Sequence, residues 1–126
     1  MIEKEALTVP YAHFCASLAK PGEAIIESLT PNKAHALHMA VGVAGEAGEL
    51  LDCVKKHVIY NKPLDRVNAV EELGDIEFYL ENLRQSLGIT REETIHQNRL
   101  KLGVRYSSGS YSDRQAQERA DKAEGQ

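Results

Sequence analysis

Apolar residues recur at three- and four-residue intervals through most of this chain, the period of an amphipathic helix. In the centre, Met39, Val43, Leu50 and Cys53 fall on one stripe at about 100° per residue, and Glu46 falls on it with them. Downstream, Ala69, Leu73, Ile76, Leu80, Leu83 and Leu87 form a second seam at alternating spacings of four and three. Glu72, Asp75 and Tyr79 flank that seam. Tyr60-Asn61-Lys62-Pro63 interrupts the pattern between the two stretches. The pattern therefore predicts two long helices folded back on each other as an antiparallel hairpin.

Turn and cap residues divide the rest. A first helix is expected over residues 8–20, with Thr8 as N-cap, Pro10 in the first turn and Lys20-Pro21-Gly22 as the stop. A short helical piece is expected over 23–29. Thr30-Pro31 signals the start of the long second helix, which should continue to about Val58, roughly 42 Å at 1.5 Å per residue. Gly42, Gly45 and Gly48 lie inside it. Each costs up to about 1 kcal/mol relative to alanine, so another backbone or a ligand is expected to approach closely there, with tight helix packing as the simpler cause. Asp65 should cap the third helix, which runs to Leu87 with Gly88 just past its end. Thr90-x-x-Glu93 is a capping box that opens the fourth. After Tyr106 the composition turns to serine and glycine, so residues 1–106 read as one helical domain. Residues 107–126 read as a flexible or partly helical polar tail.

Composition sharpens this. A chain of 126 residues with no Trp, few aromatics and abundant Ala and Leu suits closely packed helices, hence an all-α fold. The net charge of −4 and pI near 5.7 argue against a nucleic-acid polymer as partner. A phosphorylated small molecule would fit only with metal ions to neutralise the site. Cys15 and Cys53 lack CxxC spacing and read as reduced core residues. No apolar run reaches the ~20 residues of a membrane span, and Met1-Ile-Glu-Lys-Glu5 does not read as a signal peptide. A cytoplasmic location without membrane partners is expected.

The chemistry lies in the acids. Glu46/Glu49 and Glu72/Asp75 are each three residues apart, so each pair projects from one helix face. Glu49 lies at the stripe's edge, beside His38 and Lys56. A lone Glu-x-x-Glu is usually a solvated surface pair. Two such pairs, each beside an apolar stripe and brought together by a hairpin, crowd like charges where hydration is lost. A hard divalent cation with oxygen ligands, Mg2+ or Mn2+, relieves that repulsion. Asn98, Lys101 and Arg105 share an arc of about 80° on the fourth helix, suited to phosphate oxygens and to sugar or base. His35 and His38 read first as packing residues. P-loop, GxSxG and EF-hand spacings are absent.

These residues together resemble the MazG-like all-α nucleoside triphosphate pyrophosphohydrolases. The likeness runs from about His35 to Tyr106 and rests on Gly45-Glu-Ala-Gly-Glu-Leu50, Val54-Lys-Lys56, Glu71-Glu-Leu-Gly-Asp75, and Asn98-x-x-Lys101-Leu102 with Arg105-Tyr106. Residues 50–71 fill the gap between the two acid pairs. The resemblance implies a four-helix-bundle core assembled as a homodimer or tetramer. It also implies Mg2+-dependent cleavage of a nucleoside triphosphate to the monophosphate and pyrophosphate. Glu46, Glu49, Glu72 and Asp75 would hold the metal, and one of them, or Glu71, would activate water. Lys56, Asn98, Lys101 and Arg105 would bind substrate. The base is left open, because the first helix matches least. The reading from another class is a non-catalytic helical module for oligomerisation or nucleotide sensing.

Overall fold

Local start and stop signals account for most helix boundaries in the computed structural model, which describes residues 3–122. Among these residues the regular secondary structure is helical throughout. The chain divides into two compact units, residues 1–34 and 35–126.

The first unit carries α1 (Glu3–Thr8), α2 (Tyr11–Leu18) and α3 (Gly22–Ser28). Thr8 ends a helix here and does not cap one, a correction to the single helix expected over 8–20. The cause is Pro10, which disfavours helical backbone at Val9 and itself takes the N-cap place of α2 at φ −53°, ψ 135°. Cys15 is exposed and not a core residue, the second correction in this region.

Thr30 then opens α4 (Pro31–Val58), its Oγ1 accepting from Lys33 N at 3.2 Å. The second unit contains the rest of α4, α5 (Arg66–Leu87), α6 (Arg91–Arg105), α7 (Asp113–Glu118) and a 3-10 turn over Ala120–Lys122. Asp65 caps α5 by accepting from Asn68 N at 3.0 Å. Gly88 closes it at φ 69°, the left-handed backbone that lets Ile89 N reach the Arg84 carbonyl at 2.9 Å. Thr90 Oγ1 accepts from Glu93 N at 3.0 Å and opens α6. Between α4 and α5, Asn61 adopts φ 52° and His57 Nδ1 donates to the Lys62 carbonyl at 2.7 Å. That closes the hairpin.

The apolar stripe of α4 is its most buried face. Met39 and Cys53 are each only 5% exposed, and Val43, Glu46 and Leu50 are partly buried. On α5, Ile76, Leu80 and Leu83 are partly buried, whereas Leu73 and Leu87 at the same seam are more than half exposed. Residues 91–104 of α6 are exposed along their whole length. Among the described residues, no helix is long and apolar enough to cross a membrane.

The polar segment after Tyr106 folds back on α6, which packs against both α7 and the 3-10 turn. Ser112 caps α7 by accepting from Gln115 N at 3.1 Å. The buried Gln115 side chain donates to Ser107 Oγ at 3.2 Å and accepts from Ser108 Oγ at 2.9 Å. Residues 123–126 of the expected tail lie outside the described residues.

Candidate metal centre

Contacts along α4 and α5 follow an antiparallel register. Nearest the hairpin turn, the Cys53 thiol donates to the Asp65 carbonyl at 3.7 Å. Two turns back along α4, Glu46 meets Glu72. Beyond that, the Tyr79 ring lies over Gly42 and stands 6.4 Å from the His38 ring. The helical period produces this alignment. His38, Gly42 and Glu46 are four apart on one face, and Glu72, Asp75 and Tyr79 share the opposing face.

One carboxylate oxygen from each of Glu46, Glu72 and Asp75 lies within 4.8 Å of the others. Glu46 and Glu72 are partly buried and Asp75 is exposed. Among the described residues, no lysine, arginine or histidine forms an ion pair with any of the three. Glu72 Oε2 is buried without a hydrogen-bond partner. A carboxyl group in that position holds its proton more tightly than an ordinary glutamate does. Sharing it with Glu46, then burial, then the charges of Glu46, Asp75 and Glu49 raise Glu72 from 4.5 to about 7.

This donor set fits a hard divalent cation. It offers oxygens only, more negative charge than the protein neutralises, and one buried oxygen that lacks a donor. A small cation with several retained waters suits the open side at Asp75.

The expected site residues divide into two groups. The structure brings together Glu46, Glu72 and Asp75. Glu49 is exposed and outside the three-oxygen group, although its charge still reaches Glu72. Glu71 is exposed on α5. Lys56 pairs with Asp52 at 2.9 Å, one helical turn away on the surface. That pairing lowers Asp52 and raises Lys56 from their usual values, chiefly through the hydrogen bond they share. Asn98 and Lys101 stand exposed on α6.

Arg105 is committed elsewhere. Its Nε donates to Asp121 Oδ1 at 2.7 Å and its Nη2 to Asp121 Oδ2 at 3.2 Å. The Asp121 side chain is 3% exposed and that of Arg105 17%. The guanidinium hydrogen bonds hold Asp121 at about 2. Asp121 was not legible as a partner, since a separation of 16 residues leaves no helical spacing to read. Tyr106, next in sequence to Arg105, packs its ring 5.8 Å from that of Tyr111.

No protein-family model, curated protein or solved structure matches this chain. The functional reading therefore rests on the residues themselves.

Proposed function

We propose that this chain is a Mg2+-dependent nucleoside triphosphate pyrophosphohydrolase, with Glu46, Glu72 and Asp75 as its cation-binding carboxylates. The observation that carries the reading is the buried, unpartnered Glu72 Oε2 inside a carboxylate group that forms no ion pair among the described residues. The likeness of the two acid pairs and their flanking residues to the MazG-like family supplies the reaction class.

In this reading Glu46 on α4 and Glu72 and Asp75 on α5 would hold the cation, with the exposed Asp75 on its solvent side. Glu49, one turn from Glu46, faces the same region and suits orientation of the attacking water or a second cation. A bound cation supplies neutralisation of phosphate charge and lowers the pKa of a coordinated water. Asn98 and Lys101 are free to meet substrate, and Lys56 can exchange Asp52 for a phosphate oxygen at little cost, because exposed pairs are weak. Arg105 contributes indirectly, by holding the C-terminal segment against α6.

The same reading includes a second copy of the chain. Leu37, Val41, Leu51, Val67 and Phe78, on the two hairpin helices, are each more than half exposed, and residues 91–104 of α6 are exposed. Apolar exposure of this extent on paired helices is characteristic of an assembling surface. A four-helix core completed between copies would cover it, in a homodimer or a tetramer built from dimers.

Incubation with a panel of NTPs and dNTPs, with Mg2+ and with EDTA, tests the activity. Ion-exchange analysis should show monophosphate and pyrophosphate only when Mg2+ is present. Diphosphate with orthophosphate, or no turnover across the panel, contradicts the assignment. Light scattering at micromolar concentration should show assemblies larger than the 14.0 kDa chain. A fully active monomer removes the oligomer.

A further inference from the structure

Three glycines interrupt α4, and only one is required by a neighbour. A Cβ built on Gly45 or Gly48 meets nothing within 4 Å, so neither position is held open by packing within a single copy of the chain. At Gly42 the same atom would overlap the Tyr79 ring carbons. The Tyr79 ring is held from two further sides, by His38 at 6.4 Å and by Phe78 at 5.1 Å in an edge-to-face arrangement. It is partly buried, and its place on α5 is four residues past Asp75. Gly42 likewise lies four residues before Glu46 on α4.

The contact therefore sits one helical turn from the acid group on both helices at once. An aromatic ring lying directly on a glycine is a spacer of nearly fixed thickness, because the atoms in contact belong to the rigid ring and not to the far end of a flexible chain. The distance it imposes between the helices is carried one turn along to Glu46 on one side, and to Asp75 and, a turn further, Glu72 on the other.

We propose that Tyr79 is a positioning residue which, seated on Gly42, sets the separation of α4 and α5 at which Glu46, Glu72 and Asp75 can share one cation. The inference rests on the cation reading of those carboxylates and adds what holds them at the correct distance. It also separates the glycines by role: Gly42 is needed for cation binding, and Gly45 and Gly48 are not.

Calorimetric titration of Mg2+ into the full-length protein tests this, alongside circular dichroism and thermal melts in EDTA. The variants are Gly42→Ala, Tyr79→Leu, their double variant, and the controls Gly45→Ala and Gly48→Ala. Each of Gly42→Ala and Tyr79→Leu is expected to weaken Mg2+ binding by about 10- to 100-fold, as loss of a support behind metal ligands does, with helical content retained. The controls should bind Mg2+ as wild type does. In the double variant the methyl group added at position 42 enters space the ring has left, so its loss should be smaller than the product of the two single losses.

A purely structural contact would lower the melting temperature in EDTA yet leave Mg2+ affinity of the folded protein unchanged, and that result overturns the proposal. Equal losses in Gly42→Ala and the two controls overturn it as well. Should Gly42→Ala not fold, Tyr79→Leu decides, and wild-type affinity in that variant is fatal. Wild-type protein that binds no Mg2+ sinks the cation reading and this inference together. Wild-type binding with unaffected Gly42→Ala and Tyr79→Leu sinks only the spacer.

Discussion

Two carboxylates in this molecule sit in opposite electrostatic company. Asp121, in the C-terminal clasp, receives two hydrogen bonds from the Arg105 guanidinium and is held at about 2. Glu72, between α4 and α5, faces two other acids, has a buried oxygen without a partner, and is pushed up to about 7. Both are removed from water to some degree, so burial alone does not separate them. The difference is whether the chain supplies its own positive charge. Where it does, the carboxylate is a structural fastening. Where it does not, the carboxylates repel one another, and the proposed function answers that repulsion with a cation from outside.

The largest effect that sharpens this contrast is on turnover. Glu72→Gln or Asp75→Asn should nearly abolish Mg2+-dependent hydrolysis and weaken Mg2+ binding by more than about 100-fold, beyond what loss of a supporting residue causes. Asp121→Asn should leave Mg2+ affinity in place, since Asp121 takes no part in the acid group. A comparable loss of Mg2+ affinity in Asp121→Asn would merge the two regions into one site and undo the comparison.

The next effect is on stability against pH, where the two groups act with opposite signs. Glu72 is raised on folding, so between about 4.5 and 7 the folded state binds more protons than the unfolded one. Its contribution in EDTA is therefore favourable at pH 4.5 relative to pH 8 and declines as pH rises through 7. Asp121 is depressed from 3.8 to about 2, so the clasp's contribution is present above 3.8 and declines as pH falls towards 2. Thermal melts across pH in EDTA check both. Glu72→Gln should remove the decline above 4.5, and Asp121→Asn the one below 3.8. Unaltered slopes in these variants would reassign the titrations to other groups.

The smallest effect is at the glycines that no neighbour requires. Gly45→Ala and Gly48→Ala should each raise stability by up to about 1 kcal/mol through helix propensity alone, as read by urea denaturation. Gly42→Ala gains the same propensity but meets the Tyr79 ring, and overpacking of that kind costs about 1–3 kcal/mol. Gly42→Ala should therefore be the only one of the three to lose stability. Equal gains at all three would show that the ring yields.

Which features could be read in advance follows from how far their causes reach along the chain. The starts of α4, α5 and α6 were legible because Thr30, Asp65 and Thr90 act on amides three residues away. The stripe through Met39, Glu46 and Cys53 was legible because helical period places those residues on one face whatever packs there. The three-carboxylate group needed one further step, the hairpin, which Tyr60–Pro63 signalled. Glu49 stayed outside the group because a spacing of three shares a face without ensuring convergence on one point. The three glycines looked alike in sequence, and only Tyr79, 37 positions beyond Gly42, distinguishes one of them. The fastening of Arg105 by Asp121 was likewise hidden. A polar tail rich in serine resembles a linker until Gln115 is seen between Ser107 and Ser108.

Thermal melts of wild type and Glu72→Gln at about pH 8, each in EDTA and in a Mg2+ series, test the central claim most directly. If Glu46, Glu72 and Asp75 form a cation site, wild type should gain stability steadily with Mg2+ concentration, as a ligand that binds only the folded state requires. Glu72→Gln should melt at or above wild type in EDTA, because a repelling carboxylate has gone, and gain almost nothing from Mg2+. A wild-type melt indifferent to Mg2+ would contradict the claim. So would a Glu72→Gln variant that melts lower in EDTA and gains from Mg2+ as much as wild type does.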